Sequence, residues 1–454
     1  MTDHPAARED AAGLRQRELA DAGVRLIIGT IVNSSGLTLA KSVPLARLAS
    51  FQRCGLGSAP VWSVFTIDGG MAPMHAISPV GDLRLKIDTA ELRNIGGARV
   101  WAPANIYNQD GTPSPTCTRG ALSLVEKQLQ AAGLDALVGH ELEFVLVSDD
   151  GSRLNSAFWV PYGITGLLDR TKFTDDLLLA MSEAGVALEQ FHSEYGRDQF
   201  EFSLPPTTPV KAADLAVLAK IVVGTVARAH NLRASFSPSP FPGEVGTGAH
   251  QHFSLTQGGK PLFSGGNGPH GITDAGGAAI GGLVAGLPEL QGFLTGSILS
   301  GERLAPGSWS GAYACWGAEN REASVRFLTG GPANPHGANV EVKIVDPAAN
   351  VYLASTAILA LALEGIQRGT ALPAEATGDP GRLTQAERSA AGIAILSAEP
   401  TEIIDVLDRS KLARRLIGDE LVDITVAVRR YEQKTFAELS TTELAARFRL
   451  AWSM

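Results

Sequence analysis

Hydrophobic and polar positions alternate in short stretches through the first quarter of the chain. The stretches with this pattern are residues 24–32, 60–67, 83–87 and 98–103. A period of two is typical of strands that bury one face. Gly36 and the apolar residues 37–39 predict a hairpin partner for the first of these strands. This part of the chain is therefore predicted to be a small, mostly β domain behind a helical lead-in.

The pattern changes in the remaining three quarters, where helical and strand periods alternate. Leu122, Val125 and Leu129, for example, share one face of a helix. The predicted helices cover residues 119–132, 172–184, 212–230, 275–293 and 350–365. The predicted strands cover residues 141–147, 199–204, 248–255, 322–328 and 340–345. The C-terminal part is predicted to be helical, and the whole pattern indicates an α+β protein with a domain boundary between residues 107 and 108.

Composition excludes several classes of function. The chain has 454 residues with 38 Lys and Arg against 47 Asp and Glu, a formal charge of −9. An acidic balance without a basic cluster argues against a nucleic-acid partner. The longest strongly apolar run, residues 351–363, is too short to cross a bilayer, so no membrane association is expected. Three distant cysteines permit neither a disulfide framework nor a CxxC metal site, which favours the cytoplasm.

Four predicted strands carry two polar residues separated by one position. They are Glu141-Leu-Glu143, Gln199-Phe-Glu201, His250-Gln-His252 and Glu341-Val-Lys343. Residues two apart share a strand face, so any one triplet alone is explained by a face turned to water. On one concave sheet surface, however, these carboxylates and the nearby Glu194 would repel one another unless cations neutralise them. Carboxylates with a histidine suit Mg²⁺ or Mn²⁺.

The sequence also has a cationic group of three arginines, Arg303, Arg321 and Arg326, each within a short segment that contains a glutamate. Arginines beside a metal cluster could hold a transferring phosphoryl group and a substrate carboxylate. The alternative is that they are surface residues paired with neighbouring glutamates. Those glutamates are Glu302, Glu319 and Glu322.

Seven collinear segments resemble the glutamine synthetase superfamily, and more closely its glutamate–amine ligase branches. They are Asp68-Gly69, 139–144 (Gly-His-Glu-Leu-Glu-Phe), 189–201, 246–254, 303–307 (Arg-Leu-Ala-Pro-Gly), 319–326 and 341–353. The resemblance implies a small N-terminal β-grasp-like domain, residues 1–107. It also implies a large catalytic domain, residues 108–454, with a curved antiparallel sheet backed by helices. ATP would be a substrate, with two to three Mg²⁺ or Mn²⁺ per site.

The resemblance also implies a role for individual residues. The implied ligands of one metal are Glu143, Glu194 and Glu201, and those of a second, under the ATP phosphates, are Glu141, His250 and Glu341. The implied nucleotide-side residues are His252, Ser254, Arg321 and Arg326. The implied substrate-side residues are Gly246, Arg303, Trp309 and Lys343. The implied catalytic residues are Glu201, Arg321 and Asp68, the last from a neighbouring subunit of a dodecamer of two stacked hexamers.

The departures from the family pattern are concentrated around the substrate. Trp309 stands where ammonia-using members carry a glutamate, Val245 replaces an asparagine, and Asn339 and Lys343 replace arginines. Met71 occupies the place of a serine that ammonia-using members often carry. A bulky apolar group at the nucleophile site favours a carbon-bearing amine. We therefore expect transfer of a γ-glutamyl group to an alkylamine, ethanolamine, a polyamine or an arylamine.

Three alternatives stay open at this point. The first is the same acyl-phosphate mechanism on a different carboxylic acid, because the changed residues surround the acid substrate. The second is ordinary glutamine synthetase using ammonia. The third is a non-catalytic family member, although every implied metal position is occupied by glutamate or histidine.

Overall fold

The first sheet is formed by the N-terminal part of the chain. The computed structural model describes residues 14–156 and 158–454, and residues 14–21 are helical. The strands of this sheet are β1 (Leu26–Val32), β2 (Thr38–Pro44), β3 (Leu56–Ser58), β4 (Leu83–Ile87), β5 (Arg93–Asn94) and β6 (Arg99–Tyr107). Their order is β2-β1-β6-β4-β3, with β5 beside β6. The β1–β6 pair is parallel and the others are antiparallel.

One predicted strand of this region is wrong. Residues 60–67 do not pair as a strand, because Pro60–Val64 forms a 3-10 helix. Pro60 occupies the first turn of that helix, where its missing N–H is not needed, whereas in a ladder it would remove a hydrogen bond. The Ser63 hydroxyl donates back to the Pro60 carbonyl at 2.8 Å. The alternation of apolar side chains here reflects one buried turn and not a pleated face.

The second sheet carries the polar triplets. Its strands are β7 (Leu134–Ser148), β8 (Gln190–Ser193), β9 (Gln199–Thr207), β10 (Leu232–Ser235), β11 (Gln251–Gln257), β12 (Lys260–Pro261), β13 (Tyr313–Ala318), β14 (Ala323–Leu328), β15 (Asn339–Val342) and β16 (Ala394–Ile395). The main order is β16-β13-β14-β15-β11-β7-β9-β8, with β10 beside β7 and β12 beside β11. All pairs are antiparallel except β13–β14. Two triplets therefore lie within β7 and β9, and the other two lie on β11 and β15 except for His250 and Lys343, which are the residues next to those strands. These four strands are consecutive in the sheet.

Helices pack behind this sheet and supply most of the core. α1 (Leu48–Arg53) is the exception, because its Leu48 and Phe51 pack in the core of the first sheet. The other helices are α2 (Thr118–Ala131), α3 (Ile164–Asp169), α4 (Thr171–Glu183), α5 (Pro209–Ala229), α6 (Asp274–Leu294), α7 (Val351–Arg368), α8 (Gln385–Ala390), α9 (Pro400–Arg409), α10 (Lys411–Ile417), α11 (Asp419–Thr435) and α12 (Thr441–Phe448). The long helices α6 and α7 approach closely because Gly282 faces Gly365: a Cβ on Gly365 would lie 2.9 Å from the Gly282 Cα. The mixture of helices with a largely antiparallel sheet confirms the predicted α+β class. Within the described ranges, no helix is both long and apolar enough to cross a bilayer.

Asn350 fixes the first sheet against the helical layer. Its Nδ2 donates to the carbonyls of Val32 at 2.9 Å and Asn33 at 3.0 Å. Its Oδ1 accepts from the N–H groups of Tyr352 and Leu353, the first residues of α7. One buried side chain thus caps the helix and holds the end of β1, which is why a polar residue is stable there.

Candidate active site

The four strands that carry the triplets, with the residues next to them, bring acidic and histidine side chains together. We call this group the carboxylate face; its residues are Glu141, Glu143, Glu194, Glu201, His250, His252 and Glu341. Glu143 lies directly opposite Glu201 in the β7–β9 ladder, and His252 lies opposite Glu341 in the β11–β15 ladder. The Glu141 N–H donates to the His250 carbonyl at 3.0 Å, so the pairing with β7 continues beyond the first residue of β11. Backbone hydrogen bonds therefore set the spacing of these side chains.

Glu141, His250 and Glu341 form the first compact group on this face. One ligand atom from each lies within 4.8 Å of the others. The His250 Nδ1 is 3.2 Å from Glu141 Oε2 and 3.3 Å from Glu341 Oε1. These are the three residues that the sequence predicts for the metal under the ATP phosphates.

The other predicted set is divided between two overlapping groups. Glu143 and Glu201 group with His250, whereas Glu194 and Glu201 group with His192. Glu201 therefore links Glu143 to Glu194. The His192 Nε2 is 3.6 Å from Glu201 Oε1, so this histidine adds a donor that the predicted set lacks.

Burial and mutual repulsion raise the pKa values of Glu143 and Glu201, which makes this part of the face proton-rich near neutral pH. Burial raises the pKa of Glu143 to about 7, against the attraction of Arg303 and with a further rise from Glu194. Burial and the carboxylates of Glu141 and Glu143 raise the pKa of Glu201 well above its ordinary value. A divalent cation relieves this repulsion, and oxygen donors with imidazole suit Mg²⁺ or Mn²⁺. The residues present therefore fit the cations that the sequence implies.

Glu341 is the negative centre of the first group. Burial alone would raise its pKa, but the attraction of Lys343, His250 and His252 outweighs burial and lowers the pKa to about 2. The Lys343 ammonium is 3.1 Å from Glu341 Oε1, and Arg326 Nη1 is 3.1 Å from Glu341 Oε2. Lys343 is thus a buried partner of this carboxylate.

The three predicted arginines have different environments. Arg303 is buried and donates to the carbonyls of Lys343 and Ile344 at 2.9 and 3.2 Å, while its Nη2 is 3.1 Å from His250 Nε2. Arg326 is shared between Glu341 and, at 2.9 Å, Glu319. Arg321 is exposed. The surface ion-pair alternative therefore describes Arg326 only in part, and it does not describe the buried Arg303.

A cavity of about 970 Å³ opens on one side of the carboxylate face. Its lining includes Glu141, the predicted nucleotide-side residues His252 and Ser254, and the segment 328–336. The His252 Nδ1 is 2.9 Å from Asn339 Oδ1. Burial favours the neutral ring, but the carboxylates of Glu141 and Glu341 prevail and raise the pKa of His252 to about 9. The cavity has the volume of a small-molecule site, and His252 is part of its lining.

Two residues of the site received no role from the sequence. Gln199 donates from Nε2 to Glu143 Oε2 at 2.7 Å and to the Gly246 carbonyl at 3.0 Å, so it positions a carboxylate and the predicted substrate loop together. The Tyr162 hydroxyl lies 3.2 Å from Glu194 Oε1. The triplet pattern already contained Gln199, but Tyr162 lies in a loop with no periodic signal.

Asp68 and Trp309 are not part of the carboxylate face. Asp68 accepts from the Thr66 hydroxyl at 2.6 Å and the Gly70 N–H at 3.1 Å. Partial burial favours its neutral form, but these hydrogen bonds hold the pKa of Asp68 below its ordinary value. Gly70 packs against the Tyr431 hydroxyl, at the C-terminal helices. Trp309 is 62% exposed, on the loop that begins at Arg303.

Comparison with known proteins agrees with this geometry. The family model for the glutamine synthetase catalytic domain matches residues 115–446. The chain belongs to the glutamine synthetase family. As a member of this family it is an ATP-dependent ligase, which confirms the enzyme class and the fold that the sequence predicts.

Individual relatives match almost the whole chain. Gamma-glutamylpolyamine synthetase GlnA3 of Streptomyces coelicolor is 35% identical over 440 residues, covering 95% of this chain and 94% of the relative. The glutamine synthetase of Pyrococcus abyssi is 28% identical over 410 residues, covering 90% of each. Among solved structures, that of a glutamine synthase homolog has a TM-score of 0.85 at 28% identity, covering 94% of this chain and 99% of that one. The family assignment thus extends over both sheets.

Proposed function

We propose that this enzyme uses ATP to activate the γ-carboxylate of glutamate and transfers the γ-glutamyl group to an organic amine. The observation that carries the proposal is the grouping of carboxylates and histidines on one face. It is combined with Trp309 at the position where the family pattern implies a glutamate in ammonia-using members. The similarity to a gamma-glutamylpolyamine synthetase supports the same conclusion. The candidate amines are alkylamines, ethanolamine, polyamines and arylamines.

The chemistry proceeds in two balanced steps. A γ-carboxylate oxygen bonds to the terminal phosphorus of ATP, and ADP leaves. The amine nitrogen then bonds to the acyl carbon of that carboxyl group, phosphate leaves with the phosphorylated oxygen, and the nitrogen loses a proton. Activation is necessary because a free carboxylate is a poor electrophile. We assign the proton transfer to Asp68 of a neighbouring subunit, assisted by Glu201 next to the amine.

The carboxylate face would hold two to three Mg²⁺ or Mn²⁺ ions. Glu141, His250 and Glu341 form one set of donors. We assign Glu143, Glu194 and Glu201 to the other, in which Glu201 lies near Glu143 and also near Glu194. These ions supply positive charge to the phosphate oxygens and orient the two reacting groups. Arg321 and Arg326 add positive charge toward the phosphates, while His252 and Ser254 border the nucleotide in the large cavity.

We propose that the acid and the amine bind at residues of the site that do not line the large cavity. Arg303 and Gly246 are proposed to contact the acid, and Gln199 ties Gly246 to Glu143. Lys343 provides a second cation in this region, held against Glu341. Trp309 gives the amine an aromatic wall in place of a carboxylate, and this change favours a carbon-bearing nucleophile over ammonium.

The assembly implied by the family accounts for the position of Asp68. Within one chain this carboxylate lies beside the C-terminal helices, away from the carboxylate face. We propose a cytoplasmic dodecamer of two stacked hexamers in which the domain of residues 1–107 completes the site of the next subunit's domain, residues 108–454. Small molecules are its substrates, with no nucleic-acid or membrane partner.

A phosphate-release assay tests the proposed reaction. The purified chain is incubated with ATP, Mg²⁺ or Mn²⁺ and glutamate, and with ammonia, an alkylamine, ethanolamine, a polyamine or aniline in turn. We expect phosphate release only when acid and an organic amine are both present, with a γ-glutamylamide identified by mass spectrometry. Glutamine as the main product would identify an ordinary glutamine synthetase. No release with any amine and glutamate, but release with another acid, would overturn the glutamate assignment.

A further inference from the structure

The loop of residues 303–311, which we call the Trp309 loop, is attached to the carboxylate face at both ends. At its start, Arg303 Nη2 lies 3.1 Å from His250 Nε2. At its end, Gly311 packs against Lys343: a Cβ on Gly311 would lie 2.8 Å from the Lys343 Cβ. The middle of the loop is exposed and carries Trp309.

The middle of this loop has an unusual backbone. Gly307, Trp309 and Gly311 have φ angles of 82°, 58° and 76°. These values are ordinary for glycine, but they lie in the left-handed region that a tryptophan rarely adopts. The backbone at Trp309 must therefore be held by contacts from outside the loop.

Glu322 supplies those contacts. This side chain is only 6% exposed. Its Oε1 accepts from the Trp309 N–H at 2.8 Å, and its Oε2 accepts from the Gly307 N–H at 3.3 Å. Both carboxylate oxygens are thus used on the loop backbone, and an ionised acceptor makes such hydrogen bonds stronger than a neutral one. A glutamine has one acceptor oxygen and could satisfy only one of the two N–H groups.

We propose that Glu322 is a positioning residue that sets amine selectivity by fixing the loop backbone at Trp309, and with it the direction of the Trp309 side chain. The inference deepens the proposed function and rests on it, because Trp309 is taken as the wall of the amine site. Glu322 belongs to neither donor set, and it acts on the amine only through Trp309.

A graded substitution series tests the proposal. Glu322→Gln retains one acceptor and Glu322→Ala retains none, so the KM for the preferred amine should rise about fivefold for each hydrogen bond lost. The KM for ATP and the affinity for Mn²⁺ should remain unchanged. Glu302→Gln is the matched control, because that carboxylate precedes Arg303 and contacts the Thr441 hydroxyl at 3.4 Å.

Fluorescence anisotropy of Trp309 gives a second readout that needs no activity. The signal of Trp309 is the difference between each protein and the same protein carrying Trp309→Phe. We expect the anisotropy to fall in the order wild type, Glu322→Gln, Glu322→Ala, and to be unaffected by Glu302→Gln. Thermal melting shows whether each variant is folded. If Glu322→Ala does not fold, the role of Glu322 is tested by Glu322→Gln alone.

The outcomes separate the two proposals. Unchanged Trp309 anisotropy in Glu322→Gln, or equal rises in the KM for amine and ATP, would overturn the role of Glu322. A wild-type enzyme that shows no amine-dependent phosphate release would overturn the proposed function, while the anisotropy result would still decide whether Glu322 holds Trp309.

Discussion

The carboxylate face and the Trp309 loop meet at one site but are held by different forces. The face is set by strand ladders, in which Glu143 lies opposite Glu201 whatever the surrounding loops do. The backbone in the middle of the loop is held by two hydrogen bonds, which Glu322 accepts from Gly307 and Trp309. Rigid strands suit groups that must stay at fixed distances from one another, whereas loops can change without disturbing them. The proposed roles of the face and the loop therefore predict that chemistry and amine selectivity can vary independently in this chain.

The largest effect is expected from removing a carboxylate from the carboxylate face. Glu143→Ala deletes a proposed metal donor and the acceptor of Gln199. We expect turnover to fall by more than about 100-fold, beyond the loss typical of a residue that only orients a ligand. Steady-state phosphate release measures the effect, with Glu302→Ala as the control. A near-normal rate would refute the assignment of Glu143 to a metal.

A second prediction concerns how the affinity of the carboxylate face for Mn²⁺ depends on pH. Because burial raises the pKa of Glu143 to about 7, the metal-free protein carries a proton there at lower pH, and a cation must displace it. The affinity for Mn²⁺ should therefore rise with pH up to that value, by about tenfold per pH unit for each displaced proton.

Calorimetric titration across this range measures the slope. The raised pKa of Glu201 adds to it in the same direction. Glu143→Gln, which has no proton to release, should give a shallower slope, and Trp309→Phe should give the wild-type slope. A wild-type affinity that does not change with pH would contradict the proton-rich description of the face.

The smallest effect is expected at the loop. Trp309→Glu should raise the ratio of kcat/KM for ammonia to that for the preferred amine by about tenfold, the scale of discrimination that one pocket contact provides. Trp309→Phe should keep the amine preference, because it keeps an aromatic wall. Competition between ammonia and the amine in one assay measures the ratio. An unchanged ratio would remove Trp309 from the amine site and leave the carboxylate face as described.

The sequence predicted the carboxylates and histidines that the structure brings to the face because their signal is local. A period of two shows which residues share a strand face, and this held for the pairs beginning at Glu141 and Gln199. The period does not show which strands are neighbours. The adjacency of β15, β11, β7 and β9 is a long-range property, and the resemblance to a family supplied the reason to expect it.

The features that the sequence did not reveal depend on contacts between distant segments. The predicted set does not include His192, which groups with Glu194 and Glu201 because the short strand β8 places it opposite Glu201. Gln199 donates to the Gly246 carbonyl, 47 residues further along the chain. Glu322 accepts from the Trp309 N–H, 13 residues earlier in the chain. Such partners leave no periodic trace, so only coordinates could show them.

The central claim is that the chain activates a carboxylate by phosphorylating it, and oxygen transfer tests this most directly. Glutamate labelled with ¹⁸O in its γ-carboxylate is incubated with the enzyme, ATP, Mg²⁺ and the preferred amine, and the released phosphate is examined by mass spectrometry. We expect one ¹⁸O atom in each released phosphate, and one molecule of γ-glutamylamide for each phosphate released. Unlabelled phosphate would show that water, and not the carboxylate, attacks ATP, and would contradict the account.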